Sequence, residues 1–200
     1  MRNNLEQLIL AMYEKDIIKF GKFTLKSGKE SFVYVDLRTT ISYPEIYRDI
    51  CDILSDYIQQ QQLQFDRLLG IPYSALTFAS SIAYKDNIPM LLKRKEAKAY
   101  GTKKLLEGEY HKDDICLLIE DVVTTGGSSI ESLEVLAEHN IKVTDLVCLV
   151  DRQGSAQANL QNKHCTLHAM ITLTHILDVL HKHEKIDDEQ YHRAIAVIED

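Results

Sequence analysis

The sequence predicts an α/β fold: a central, mostly parallel sheet flanked by helices, preceded by a small antiparallel hairpin. From Arg67 onward, short apolar runs suited to strands alternate with stretches of helical spacing, the rhythm of βαβ units. One run, Ile115, Leu117, Leu118 and Ile119, is too brief for a helix and suits a strand covered on both faces. Before Arg67 the chain instead offers a glycine-turned hairpin between two helical stretches, which does not suit a parallel core.

Asn3 or Asn4 can cap a first helix, whose Leu5, Leu8, Ile9 and Met12 fall at helical spacing and which ends near Asp16. Phe23 and Leu25 lead through Lys26-Ser27-Gly28-Lys29 into a partner strand from Phe32 to Leu37. A second helix starts after Pro44 and runs to about Gln62, with Ile46, Ile50, Ile53, Leu54 and Ile58 inward. Leu68 to Ile71 form a strand, Pro72 and Tyr73 a turn, Ala75 to Tyr84 a helix, and Ile88 to Leu92 the next strand. The segment bracketed by Gly101 and Gly108 lacks an apolar period and reads as a loop. Lys142 to Val150 supply a strand ending in Asp151-Arg152, and Leu167 to Leu173 a last one. Helices follow from Thr174 to about His183 and from Asp187 to Ile198. No internal repeat, linker or shift of composition interrupts the 200 residues, which suit one domain.

The stretch from Ile115 to Leu133 organises the rest. Its strand ends in Glu120 and Asp121, where open α/β sheets bind ligands at the carboxyl ends of their strands. Thr124, Thr125, Gly126, Gly127, Ser128 and Ser129 then combine hydroxyl donors with glycines that let backbone N–H groups approach an anion. A helix follows, with Ser128 or Ser129 as its cap and Glu131 in its first turn, and its N-terminus favours a phosphate. An acid pair beside an anion turn suits a ligand with vicinal hydroxyls, or a cation, and a phosphate nearby; a sugar phosphate has both. The turn is not a P-loop, since no Lys follows the glycines, and G-x-G-x-x-G is absent.

A formal net charge of −7 argues against nucleic acid as a partner. No apolar stretch is long enough to span a membrane and no signal peptide opens the sequence, so a cytoplasmic protein is expected. Cys51, Cys116, Cys148 and Cys165 are widely spaced and read as free thiols in a reducing compartment. His175, His181 and His183 do not share a helix face as metal ligands would, and no complete metal-ligand set is evident. Charge is concentrated in one place: Lys93, Arg94, Lys95, Lys98, Lys103 and Lys104 face only Glu96, about +5 in an acidic chain. Such a segment can offset and screen the charge of a highly anionic ligand.

IEDVVTTGGSS resembles the phosphoribosyl-diphosphate (PRPP) binding signature of the type I phosphoribosyltransferases. FGKFTLKSGKESFVYVDLR, LLGIPYSAL, KRKEAKAYGTKKLLEG and LVDRQGSA narrow the resemblance to orotate phosphoribosyltransferase, including its form fused in UMP synthase. The resemblance covers nearly the whole chain. It implies the type I phosphoribosyltransferase fold, with a hood over about residues 1–45 and a PRPP-binding core over about 65–175 of a single domain. It further implies transfer of the 5-phosphoribosyl group from PRPP to orotate, with Mg2+, in a homodimer whose basic loop reaches the neighbouring subunit's site. Glu120 and Asp121 then hold the ribose hydroxyls, the turn of Thr124, Thr125, Gly126, Gly127 and Ser128 holds the 5-phosphate, and Val122 and Val123 between them belong to the substrate-binding stretch. Arg94, Lys95, Lys98 and Tyr100 match the PRPP-contacting loop, and Lys26 the lysine over the substrates; Lys26, Lys98 and Asp121 are the expected catalytic residues. Tyr34 and Val35 match the segment contacting orotate, and Thr124 and Arg152 the pair holding its carboxylate and ring. Two positions depart from bacterial members, which commonly have His where Tyr100 stands and Lys after the tyrosine of the Tyr73-Ser74 turn. The backbone of that turn can still donate to pyrophosphate. A transferase for another nucleobase, or a non-catalytic PRPP sensor, would share the signature; FTLKSG with Arg152 and the loop cations speak against them.

Overall fold

The computed structural model of the chain describes residues 2–24, 28, 30–94 and 105–199. Helix α1 (Arg2–Glu14) buries Leu8, Ile9 and Met12, and it already includes Asn3 and Asn4, which therefore do not precede it as caps. Strands β1 (Ile18–Thr24) and β2 (Glu30–Val35) pair antiparallel, with a register break between Phe20 and Phe23, and form a sheet of their own. β1 starts well before the expected Phe23. After Val35 the chain enters a 3-10 turn, Leu37–Ser42, that sequence periodicity did not signal. Helix α2 (Pro44–Gln60) follows, with proline at its first turn and Ile46, Ile50, Ile53, Leu54 and Ile58 buried as their spacing requires.

The main sheet is built from β3 (Arg67–Gly70), β4 (Met90–Lys93), β5 (Leu106–Glu107), β6 (Cys116–Val123), β7 (Asp145–Asp151) and β8 (Thr166–Thr172). Their order is β5-β4-β3-β6-β7-β8, and every pair is parallel except the short antiparallel edge β4-β5. Between them run α3 (Ser74–Asp86), α4 (Gly127–Glu138) and α5 (Ala156–Gln161), and α6 (Leu173–Lys182) and α7 (Asp188–Glu199) close the chain.

Side-chain alternation divides the interior in two. Leu68, Leu117, Ile119, Val147 and Leu149 pack with α1, α2, α3 and α6, whereas Leu69, Leu91, Leu118, Leu146 and Cys148 pack with α4 and α5. Burial on both faces is why β6 and β7 read as continuous apolar runs. Each such Leu, Ile or Val contributes roughly 1.5–3 kcal/mol from burial. The hairpin sits on the first of these cores. Phe20 lies edge-on to Tyr13 and to Phe32, and the guanidinium of Arg193 from α7 lies 4.2 Å from the centroid of the Phe32 ring.

Expectations about α4 are corrected. The helix begins at Gly127 behind Gly126, whose φ of 76° is a left-handed conformation that glycine adopts without a side-chain clash. Ser128 and Ser129 thus lie in the first turn and do not cap it, and Glu131 falls beyond that turn. All four cysteines are buried and free. Among the described residues no helix is long and apolar enough to cross a membrane.

Candidate active site

β6 carries the acid pair, but its pairing runs past it: Glu120 is in register with Cys148, and the strand ends only at Val123. Alternation turns one acid inward. Glu120 is buried, its Oε2 accepting from the Ser129 hydroxyl at 3.3 Å and its Oε1 from the Asp121 backbone N–H at 3.4 Å. Burial, and next the neighbouring Asp121 carboxylate, push the Glu120 carboxyl well above the ordinary carboxylate range. Asp121 is partly exposed, and its Oδ1 accepts from the Val122 N–H at 2.8 Å.

Beyond Val123 the chain turns through Thr124, Thr125 and Gly126 into α4, where the first intrahelical bond runs from the Ile130 N–H to the Gly126 carbonyl at 2.8 Å. The N–H groups of a helix's first turn have no partner within the helix and point outward from its end. They face a cavity of about 580 Å³ lined by the whole stretch Glu120 to Ser129, by Tyr34, Val35, Asp36, Leu37 and Arg38 of the hairpin side, and by Glu131 and Arg152. The volume suits a small ligand. The loop after β7 is stitched to the turn, with Arg152 N donating to Val123 O at 2.8 Å and Ala156 N to Thr124 O at 3.1 Å.

Arg152 joins the hairpin to the core. Its guanidinium is buried and donates to Ser31 Oγ at 2.8 Å and to the Val33 carbonyl at 3.3 Å from each terminal nitrogen. Among the described residues no carboxylate pairs with it, and burial lowers its pKa. A buried, unneutralised guanidinium facing a cavity is suited to a planar carboxylate ligand. Across the opening, Arg38 grips Asp36 through two N–H groups at 2.7 and 3.0 Å and donates to the Tyr34 hydroxyl at 2.9 Å. Arg38 holds the Asp36 carboxyl below its ordinary range. Tyr34 is further fixed by stacking on Phe23, ring centroids 5.3 Å apart.

Of the residues expected from sequence, Tyr34, Val35, Glu120 to Ser128 and Arg152 meet in this cavity. Tyr73 and Ser74 do not line it. They sit at the carboxyl end of β3, where the Ile71 N–H donates to Ile119 O at 2.9 Å, so their turn flanks the acid pair's strand. Gly70 permits that turn, since a Cβ there would stand 2.3 Å from the Ala75 carbonyl oxygen. Arg94 also lies outside the lining, with Nη1 3.5 Å from a Glu107 carboxylate oxygen and Nε buried without a hydrogen-bond partner among the described residues. Lys26, Lys95, Lys98 and Tyr100 lie outside the described residues. Lys93 turns inward, away from the expected ligand-facing run. Asp36, Leu37 and Arg38 were not singled out as site residues by sequence, where the only signal was Asp-Leu-Arg directly after Val35, whereas Ser129 and Glu131 were read as parts of the anion turn and of the helix start behind it. Among the described residues no group of three or more His, Cys, Asp or Glu is placed to hold a metal ion.

The phosphoribosyl transferase domain family matches residues 40–168 of this chain. The chain is 40% identical over 185 residues to the orotate phosphoribosyltransferase of Caenorhabditis elegans, covering 92% of itself and 82% of that protein. It belongs to the orotate phosphoribosyltransferase family. Similarity to the uridine 5'-monophosphate synthase of Bos taurus is 42% identity over 196 residues, 98% of this chain but 41% of that one. The solved UMP synthase of Leishmania donovani superposes with a TM-score of 0.88 at 34% identity, over 97% of this chain and 42% of that one. The chain thus spans about two fifths of the length of those synthases. Its mostly parallel central sheet flanked by helices matches the type I phosphoribosyltransferase fold, and the small antiparallel hairpin stands as a separate sheet.

Proposed function

We propose that this chain transfers the 5-phosphoribosyl group of PRPP to a ring nitrogen of orotate, giving orotidine 5'-monophosphate and pyrophosphate for pyrimidine (UMP) synthesis. The supporting observation is the meeting, in one cavity, of a helix-end anion turn, an acid pair and a buried guanidinium that has no carboxylate partner among the described residues. In the reaction the bond from C1 of the ribose to the pyrophosphate oxygen breaks, a bond from the orotate nitrogen to C1 forms, and the proton of that nitrogen is released with the pyrophosphate. Cationic character builds on the ribose and negative charge on the leaving group, so placed charges and donors matter more than proton transfer.

In this reading the turn from Thr124 to Ser128 receives the 5-phosphate on backbone N–H and hydroxyl groups, with Val122 and Val123 leading into it. Asp121, with Glu120 behind it, receives the ribose hydroxyls; a Glu120 that retains its proton adds a donor to the pair without burying a second negative charge. Arg152 and Thr124 take the orotate carboxylate and ring against the Tyr34–Val35 wall. The Tyr73-Ser74 turn, Arg94, Lys95, Lys98, Tyr100 and Lys26 take the pyrophosphate side, with Lys26, Lys98 and Asp121 catalytic. Magnesium, held mostly by oxygens of the ligand and by water with the Asp121 carboxylate at the cavity wall, would supply further charge neutralisation.

The domain reads as a hood over about residues 1–45 on a PRPP-binding core over about 65–175, and the working form as a cytoplasmic homodimer. Buried free thiols support a reducing compartment. The Arg94 Nε left without a partner among the described residues supports a ligand or second subunit completing the site. The test is orotate consumption, followed by absorbance, with PRPP and magnesium. Loss of PRPP with a different nucleobase would change the substrate, and PRPP binding without pyrophosphate release would make the chain a sensor.

A further inference from the structure

Lys93 ends β4 and opens the basic run, yet its side chain is only 7% exposed. Its ammonium pairs with Glu131 Oε1 at 2.8 Å and donates to Ser132 Oγ at 3.3 Å. Ser132 Oγ in turn donates to the Ser128 carbonyl at 2.9 Å, so the contact chain ends in the anion turn itself. Glu131, whose side chain is 66% exposed, lines the same cavity. A carboxylate on that wall opposes any phosphate ester, and the buried ammonium paired with it offsets that charge from beneath.

We infer that Lys93 is a positioning residue for phosphate-ester binding: it neutralises Glu131 at the cavity wall and fixes α4 behind the anion turn. The inference rests on the phosphoribosyl reading of the cavity. It is independent of the identity of the base. It also sets Lys93, which acts from beneath the site, apart from the ligand-contacting role proposed for Arg94, Lys95 and Lys98.

The test is the affinity for ribose 5-phosphate, measured by titration calorimetry without orotate, alongside the Michaelis constants for PRPP and orotate. Lys93→Met should weaken ribose 5-phosphate binding about five- to tenfold and raise the PRPP constant by a similar factor, as expected for one exposed unit charge near the ligand. The orotate constant should stay within about twofold, and Lys93→Arg should retain binding. Removing both charges, in Lys93→Met with Glu131→Gln, should restore affinity to within about threefold of the unaltered chain. Unchanged affinity in a folded Lys93→Met, or a double variant as weak as the single, overturns the inference. Should Lys93→Met not fold, Glu131→Gln alone decides: tighter binding supports the role, and equal or weaker binding overturns it. A chain that follows this pattern but leaves orotate untouched loses the proposed reaction and keeps the role of Lys93.

Discussion

Replacing Arg152 with lysine tests the centre of the functional reading, because it keeps the positive charge and removes the planar fork. In the structure that fork makes one bond of 2.8 Å to Ser31 Oγ and two of 3.3 Å to the Val33 carbonyl. A lysine ammonium can keep one of these contacts but cannot hold the hairpin and grip a carboxylate through two parallel N–H groups. The loss is one charge-assisted bond to the hairpin, about 1.5–3 kcal/mol, and a comparable loss toward orotate. Steady-state assays should show the orotate Michaelis constant rising roughly 10- to 150-fold and the PRPP constant changing less than about threefold. Thermal unfolding should shift down by about 3–12 °C, at roughly 2–4 °C per kcal/mol for a chain of this size. Ser31→Ala is the internal control. It removes the 2.8 Å acceptor while leaving the guanidinium, so its orotate constant should rise by less than in Arg152→Lys. Equal rises for both substrates in Arg152→Lys, or no rise for orotate, would refute the assignment of this guanidinium to the base.

Burial holds the Glu120 proton to higher pH in the fold than in the unfolded chain, so the stability it confers is complete below about pH 4.5 and is lost as pH rises through the folded value. Glu120→Gln cannot lose that proton, so its melting temperature should exceed the unaltered chain's by a margin that widens from pH 5.5 to pH 8.5, even as turnover falls; a margin independent of pH would contradict the assignment. Lys98→Ala should lower turnover by about two to three orders of magnitude if that cation stabilises the departing charge, equivalent to ~3–4 kcal/mol, and unchanged kinetics would reject the role. Gly70→Ala should cost at least about 3 kcal/mol, because the added Cβ would meet the Ala75 carbonyl oxygen at 2.3 Å; denaturant melts within about 1 kcal/mol of the unaltered chain would show that the turn after β3 yields easily.

The parallel strands β3, β6 and β7 were legible because they bury both faces, which concentrates apolar residues in short runs, and the edge strand β8, with only Ile171 buried, was legible from its apolar residues between Leu167 and Leu173. β5 was not, since Leu106–Glu107 is too short for a pattern and forms only by pairing with β4. α5, Ala156–Gln161, carries few apolar residues and is set by tertiary contacts such as Ala156 N to Thr124 O. The stretch from Glu120 to Ser128 was legible as a site because one continuous segment supplies acids, turn and helix start. Arg38 and Glu131 were not, because only the fold brings the hairpin and the second turn of α4 to the same cavity. The helix cap was misassigned for a local reason: hydroxyl residues commonly cap, but the sharp reversal here demanded a left-handed glycine.

The alternation along β6 makes that strand intolerant of changes in length. Leu117 and Ile119 serve one core, while Cys116 and Leu118 serve the other. Deleting a single residue ahead of Glu120 would exchange the two sets and bring Asp121 into the buried slot beside Ser129, with Glu120 turned to the opposite face. Natural or engineered gaps are therefore expected in connections such as the segment 108–114, and never between Cys116 and Val123.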